Sequence, residues 1–291
     1  MVTPAIVIAA VFTLVPFLAA AFFSGKLTAK MKALPTWLQL VAPAGLSLSY
    51  VLVAWSARVF RWGWFAVYVL IPVAVSWLLY EGRRHDPGRR GNWRDYVVLF
   101  SLGLAVDLRW LEHAWPAHLA VFSKMLLLNA GIWGFLVVRQ LDGVGFDLRL
   151  RRSDFGVGLR ELAIYAPLAA LLGLRLGFLH LHLSVAAMLK LPLTLFFTFF
   201  FIAVPEELFF RGWMQNLMER RVGRYPALFL TSVLFGLSHF NKRALHFNWR
   251  YVLLAALAGI FYGRAWRQER RVGASAITHA GVDAIWSTWL R

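Results

Sequence analysis

The chain has 291 residues, 60% hydrophobic and 15% charged, with a formal net charge of +17. That leaves too little polar surface to cover a soluble domain of this length, so lipid must solvate it. With no cysteine, disulfides, thiolate metal sites and cysteine nucleophiles are excluded. The basic residues are spread through short loops, which argues against nucleic acid as a partner and for charges that fix membrane orientation.

Apolar stretches of membrane-crossing length recur from end to end. They predict an all-α, polytopic transmembrane bundle of about 8–10 spans, at 4–23, 38–57, 62–80, 96–111, 117–138, 161–180, 190–218, 226–240, 249–266 and 274–290. The first run lacks a basic flank and a small-residue cleavage site and reads as a retained helix. Asp107 and Arg109 end the fourth early, so it is a span or a re-entrant or interfacial segment.

Between the fifth and sixth stretches, Phe146, Leu148, Leu150, Phe155 and Leu159 stand among Arg and Asp residues. That mixture reads as a cytoplasmic interfacial segment or as a solvated loop carrying scattered hydrophobes. The expected organisation is therefore N-terminal membrane helices over 1–142, this segment over 143–160 and a second bundle over 161–291. Placing the N-terminus outside puts Lys26, Lys30 and Lys32, then Arg83, Arg84, Arg89, Arg90 and Arg94, and later Arg149, Arg151 and Arg152 on the cytoplasmic side, as the positive-inside rule requires. The Trp and Tyr residues read as anchors at the membrane–water interface.

Ionisable side chains inside a membrane helix cost several kcal/mol, so each one needs a partner or a role. In the seventh stretch, Val204-Pro205-Glu206-Glu207-Leu208-Phe209-Phe210-Arg211 sets Glu207 and Arg211 four apart, on one face and within ion-pair reach. Glu206 points about 100° away, and Pro205 withdraws a backbone donor beside it, which opens room for water. In the eighth stretch Phe235 precedes His239 by one turn, and in the tenth His279 precedes Asp283. Gly236, Ser238, Ala280 and Gly281 permit close helix approach around these two histidines. At about 1.5 Å per residue, Glu206, His239 and His279 fall roughly 18, 20 and 8 Å from the inner ends of their helices.

The three motifs in this order, E-E-x-x-x-R, F-x-x-x-H and H-x-x-x-N/D, resemble the CPBP family, the CAAX-processing and bacteriocin-processing intramembrane proteases also called the Abi family. The resemblance covers residues 206–283. It implies an intramembrane endopeptidase in which Glu206 activates the attacking water and His239 assists. His279 and Asp283 would steady the oxyanion or orient the site, with Glu207, Arg211 and Phe235 in support. Family members often carry Asn at the last position, where this chain has Asp283; an ionised carboxylate cannot donate to an oxyanion. The implied partners are the lipid bilayer and a membrane-associated peptide or protein substrate. The implied location is a bacterial inner membrane.

Two other functions fit the same cluster: a proton-coupled transporter using intramembrane Glu, His and Arg as a relay, and a non-catalytic membrane scaffold or immunity protein. Glu206, His239 and His279 are also a possible zinc set with an open position for water. The chain lacks the H-E-x-x-H pattern, and Glu207 and Asp283 would be surplus to a zinc site, so no tightly bound cofactor is expected.

Overall fold

Each apolar stretch forms a helix in the computed structural model, which describes residues 3–182, 184–242 and 246–290, the Ser24 side chain excepted. Among the described residues there is no strand. By chain contacts the protein divides into two units, Met1–Asp142 and Gly143–Arg291.

The first unit holds α1 (Pro4–Lys32), α2 (Thr36–Ser56), α3 (Trp62–Arg84), α4 (Trp93–Asp107) and α5 (Ala117–Val138). Thr3 caps α1, and Pro4 takes its first turn, where a missing N–H costs nothing. Polar contacts between helices are few and buried. The Thr13 and Ser49 hydroxyls share a hydrogen bond at 2.7 Å, and Asn129 Nδ2 donates to the Thr13 carbonyl at 2.8 Å. Arg139, beyond α5, donates from Nε to Asp95 at 2.6 Å and also pairs with Asp86, so a buried cation has two anions. Val7, Ile8, Val11 and Val15 are exposed along α1, as a lipid-facing stripe should be.

The second unit holds α6 (Arg152–Arg175), α7 (Leu191–Val222), α8 (Arg224–Leu237), α9 (Trp249–Glu269) and α10 (Val272–Trp289). The backbone is helical from Arg152, where the sequence reading starts the span at 161. Asp154 closes the first turn by accepting from the Arg151 N–H at 2.7 Å, so within 143–160 only residues 143–151 are non-helical, a connector into α6. At its other end α6 stops at Arg175, short of 180, because Gly177 turns to a left-handed φ of +60°.

Among the described residues six helices are long and apolar enough to cross a membrane: α1 over Pro4–Phe23, α2, α3, α5, α6 and α7. The helices α4 and α8 have 15 and 14 residues, short for a crossing. The helices α9 and α10 have 21 and 18 but carry more polar residues, in keeping with their deep burial in the unit. Several aromatic residues read as interface anchors are instead core: Tyr50, Tyr68, Tyr165, Tyr262, Trp213 and Trp266 are at most 2% exposed. Their ring faces pack against other helices, which one-dimensional composition does not reveal.

Candidate active site

The carboxylate pair sits where α7 departs from regular α-helix. Wider π-helical turns, Phe199–Ala203 and Leu208–Gln215, flank the α-helical Val204–Glu207, and such turns are common at functional sites. Pro205 cannot donate to the preceding turn, and the widened backbone accommodates it. The two glutamates land in different surroundings: the Glu207 side chain is fully buried, and that of Glu206 is 28% exposed.

Glu207 is used on both oxygens. Oε2 accepts from Arg211 Nε at 3.1 Å and Oε1 from His279 Nδ1 at 2.9 Å, so one carboxylate joins α7 to α10. The Arg211 guanidinium also lies over the Phe235 ring at 5.2 Å, a cation–π contact. Its Nη1 and Nη2 are buried with no hydrogen-bond partner among the described residues.

His279 is the hub. Its Nε2 lies 3.7 Å from Asp283, one turn along α10, and 3.9 Å from Glu206 on α7. The Tyr262 ring stacks on the imidazole at 4.6 Å and 13°, and Phe235 meets it perpendicularly at 5.6 Å. The start of α10 is pinned by Arg271, which donates to Asp154 at 2.7 and 3.0 Å, and by the Val272 N–H donating to the Gly145 carbonyl at 2.9 Å. Gly145 has φ +73°, and a Cβ there would lie 1.8 Å from the Arg270 carbonyl oxygen, so the contact requires glycine.

His239 lies just beyond α8. Its Nδ1 is 2.8 Å from the Phe235 carbonyl oxygen and 3.2 Å from Ser238 Oγ. A carbonyl only accepts, so Nδ1 carries the hydrogen and the neutral ring presents Nε2 as a lone pair. Lys242, on the loop after α8, places its ammonium 3.9 Å from Glu206.

His239, His279 and Asp283 line a cavity of about 60 Å³ whose other walls include Tyr165, Tyr251, Tyr262 and Trp286. It has room for about four to six waters at roughly 10–15 Å³ each. Glu206 approaches the same imidazole, at 3.9 Å from its Nε2, without lining that cavity. Among the described residues no group of three His, Asp or Glu side chains is set to hold a metal ion.

The structure thus brings Glu206, Glu207, Arg211, Phe235, His279 and Asp283 into one connected cluster, with the His239 ring tilted at 54° against Phe235 at 4.9 Å. Residues 188–285 match the family described as Type II CAAX prenyl endopeptidase Rce1-like. The likeness is to this segment alone, about a third of the chain. No curated protein and no solved structure matches the chain. The Rce1-like segment lies wholly in the second unit and runs from the residues before α7 into α10, so it contains every motif residue. It also contains two neighbours that sequence reasoning missed, Lys242 and Tyr262. Lys242 follows a helix end and Tyr262 sits in an apolar helix, and neither has a local pattern that marks it.

Proposed function

We propose that this protein is an intramembrane endopeptidase that hydrolyses a peptide bond in a membrane-associated protein or peptide, with Glu206 activating the water. The observation that carries the reading is the division between two adjacent glutamates: Glu207 is buried and spent on Arg211 and His279, whereas Glu206 is partly exposed beside His279 and Lys242. A partly exposed carboxylate set beside an imidazole and an ammonium can meet water and pass on a proton, as a general base must.

In the proposed reaction Glu206 takes a proton from water as the water oxygen bonds to the scissile carbonyl carbon. The carbonyl π electrons move to oxygen, giving a tetrahedral oxyanion. Collapse of that intermediate breaks the C–N bond, and the proton held by Glu206 passes to the leaving nitrogen. His239, with Nε2 as acceptor, orients the water, and His279 is held by Glu207. The matched family's description names prenylated CAAX sequences, so a prenylated tail is one member of the substrate class; a bacteriocin or signalling-peptide leader and a C-terminal sorting segment are others. The bilayer is that of a bacterial inner membrane, crossed several times with the N-terminus outside.

The test is to map protein termini in membranes from cells carrying the wild type and Glu206→Gln. Termini that appear only with the wild type, at equal protein levels, are the expected result. Identical termini sets refute the reading, and loss of the Glu206→Gln protein itself favours a scaffold.

A further inference from the structure

Hydrolysis of a peptide bond creates negative charge on the carbonyl oxygen, and removing one donor aimed at that oxygen typically costs about 10²–10³ in rate. The motif residues around the cavity do not obviously supply such a donor. Glu206 and Asp283 accept when ionised. His239 commits its Nδ1–H to the Phe235 carbonyl, and His279 commits its own to Glu207. Their Nε2 atoms are acceptors in the neutral rings, and a proton on His279 Nε2 would face the carboxylates of Asp283 and Glu206, at 3.7 and 3.9 Å.

Tyr262 differs from all of these. It is 2% exposed, its ring is stacked on His279, and it lines the same cavity as His239, His279 and Asp283. No hydrogen bond holds its hydroxyl among the described residues, although buried tyrosine hydroxyls are usually paired. Tyr165, also on the cavity, has spent its hydroxyl on the Leu254 carbonyl at 2.7 Å. A neutral, unspent O–H on the ring stacked against His279 is the donor that the motif residues lining the cavity lack; Arg211, whose Nη1 and Nη2 are also unspent, does not line it.

We propose that the Tyr262 hydroxyl is the hydrogen-bond donor to the oxyanion of the tetrahedral intermediate, in the place where Asp283 cannot serve. This rests on the endopeptidase reading above. The proton stays on Tyr262 throughout. The hydroxyl stabilises the charge as it forms and releases it when the C–N bond breaks.

The experiment compares cells carrying the wild type, Glu206→Gln, Tyr262→Phe and Tyr262→Leu, by the initial rate at which wild-type-dependent protein termini appear after pulse labelling. Tyr262→Phe keeps the stacked ring and removes only the oxygen, so the rate should fall about 10²-fold at normal protein level, and Tyr262→Leu should fall at least as far. Wild-type rates for Tyr262→Phe overturn the proposal, and if Tyr262→Leu alone is slow, the ring matters and the hydroxyl does not. A Tyr262→Phe protein that fails to accumulate also overturns it, since the hydroxyl would then hold the fold. Identical termini from wild type and Glu206→Gln overturn the endopeptidase reading and this proposal with it, whereas an inactive Glu206→Gln beside a fully active Tyr262→Phe overturns this proposal alone.

Discussion

Glu207 and His279 are joined across α7 and α10 by a 2.9 Å hydrogen bond between side chains that are 0% and 4% exposed. Because the other oxygen of Glu207 holds Arg211, removing its charge strands a buried guanidinium and releases the imidazole. Breaking one partner of a buried pair costs about 3–5 kcal/mol. Glu207→Gln should therefore lower the yield of folded protein and its melting temperature in detergent as well as its cleavage activity. A variant that melts like the wild type would show that Glu207 does not hold the site together.

Glu206→Gln should behave in the opposite way. The carboxylate is 28% exposed and stands 3.9 Å from both Lys242 and His279, so the amide replaces a partly solvated charge at little cost to the fold. Melting temperature and yield should stay at wild-type values while cleavage falls by about 10² or more. A fall in both would place Glu206 among the structural residues.

Much of this division is legible in the sequence, because helical spacing alone puts Glu207 with Arg211 on one face and turns Glu206 away. The order of the motifs likewise indicated the bundle and the clustered helices. What the sequence does not show is contact between residues far apart in the chain. His279 reaches back 72 positions to Glu207, and its Nε2 faces both Asp283 and Glu206. Tyr262 reads in the sequence as an interface anchor only along with every other Trp and Tyr, and it is the packing of α9 against α10 that lays it on His279. The start of α6 is hidden in the sequence for a related reason. Arg151, Arg152 and Arg160 look like loop charges, but Asp154 caps the helix while it pairs with Arg271.

The clamp at the start of α10 gives a steric test. An alanine Cβ at Gly145 would lie 1.8 Å from the Arg270 backbone oxygen at a φ of +73°, so the connector or α10 must move. Overpacking of this kind costs about 1–3 kcal/mol, and the left-handed conformation adds to it. Gly145→Ala should melt several degrees lower and cleave more slowly. Gly156→Ala, in α6 with nothing within 4 Å of the added atom, should match or exceed the wild type in stability, since alanine is the better helix former by about 1 kcal/mol. Equal melting of the two variants would refute the clamp.

Orientation can be read with single cysteines, because the chain has none of its own. Asp86 and Asp147 lie in the arginine-rich connectors but are held by Arg139 and Arg149, so Gly88 and Arg149, both exposed, are better sites. Gly88→Cys and Arg149→Cys should each react with a membrane-impermeant maleimide only when the cytoplasmic face is accessible. Labelling of either from outside intact cells would invert the proposed topology and the side from which substrate enters.

Metal dependence is decided by what the histidines are bonded to. A zinc site built from Glu206, His239 and His279 needs a lone pair from each imidazole and a carboxylate turned toward the same point. His279 Nδ1 donates to Glu207 and His239 Nδ1 to the Phe235 carbonyl, which leaves Nε2 of each as the sole available ligand atom. The Nε2 of His279 already faces two carboxylates, Asp283 and Glu206. Under the proposed mechanism the same carboxylates serve without a cation, Glu206 as the base and Asp283 as a neighbour of His279. Protein purified in a strong chelator should therefore retain full cleavage at well under one metal ion per chain. Activity lost in chelator and restored by zinc alone would make Glu206, His239 and His279 ligands, and would transfer the activation of water from the carboxylate to the ion.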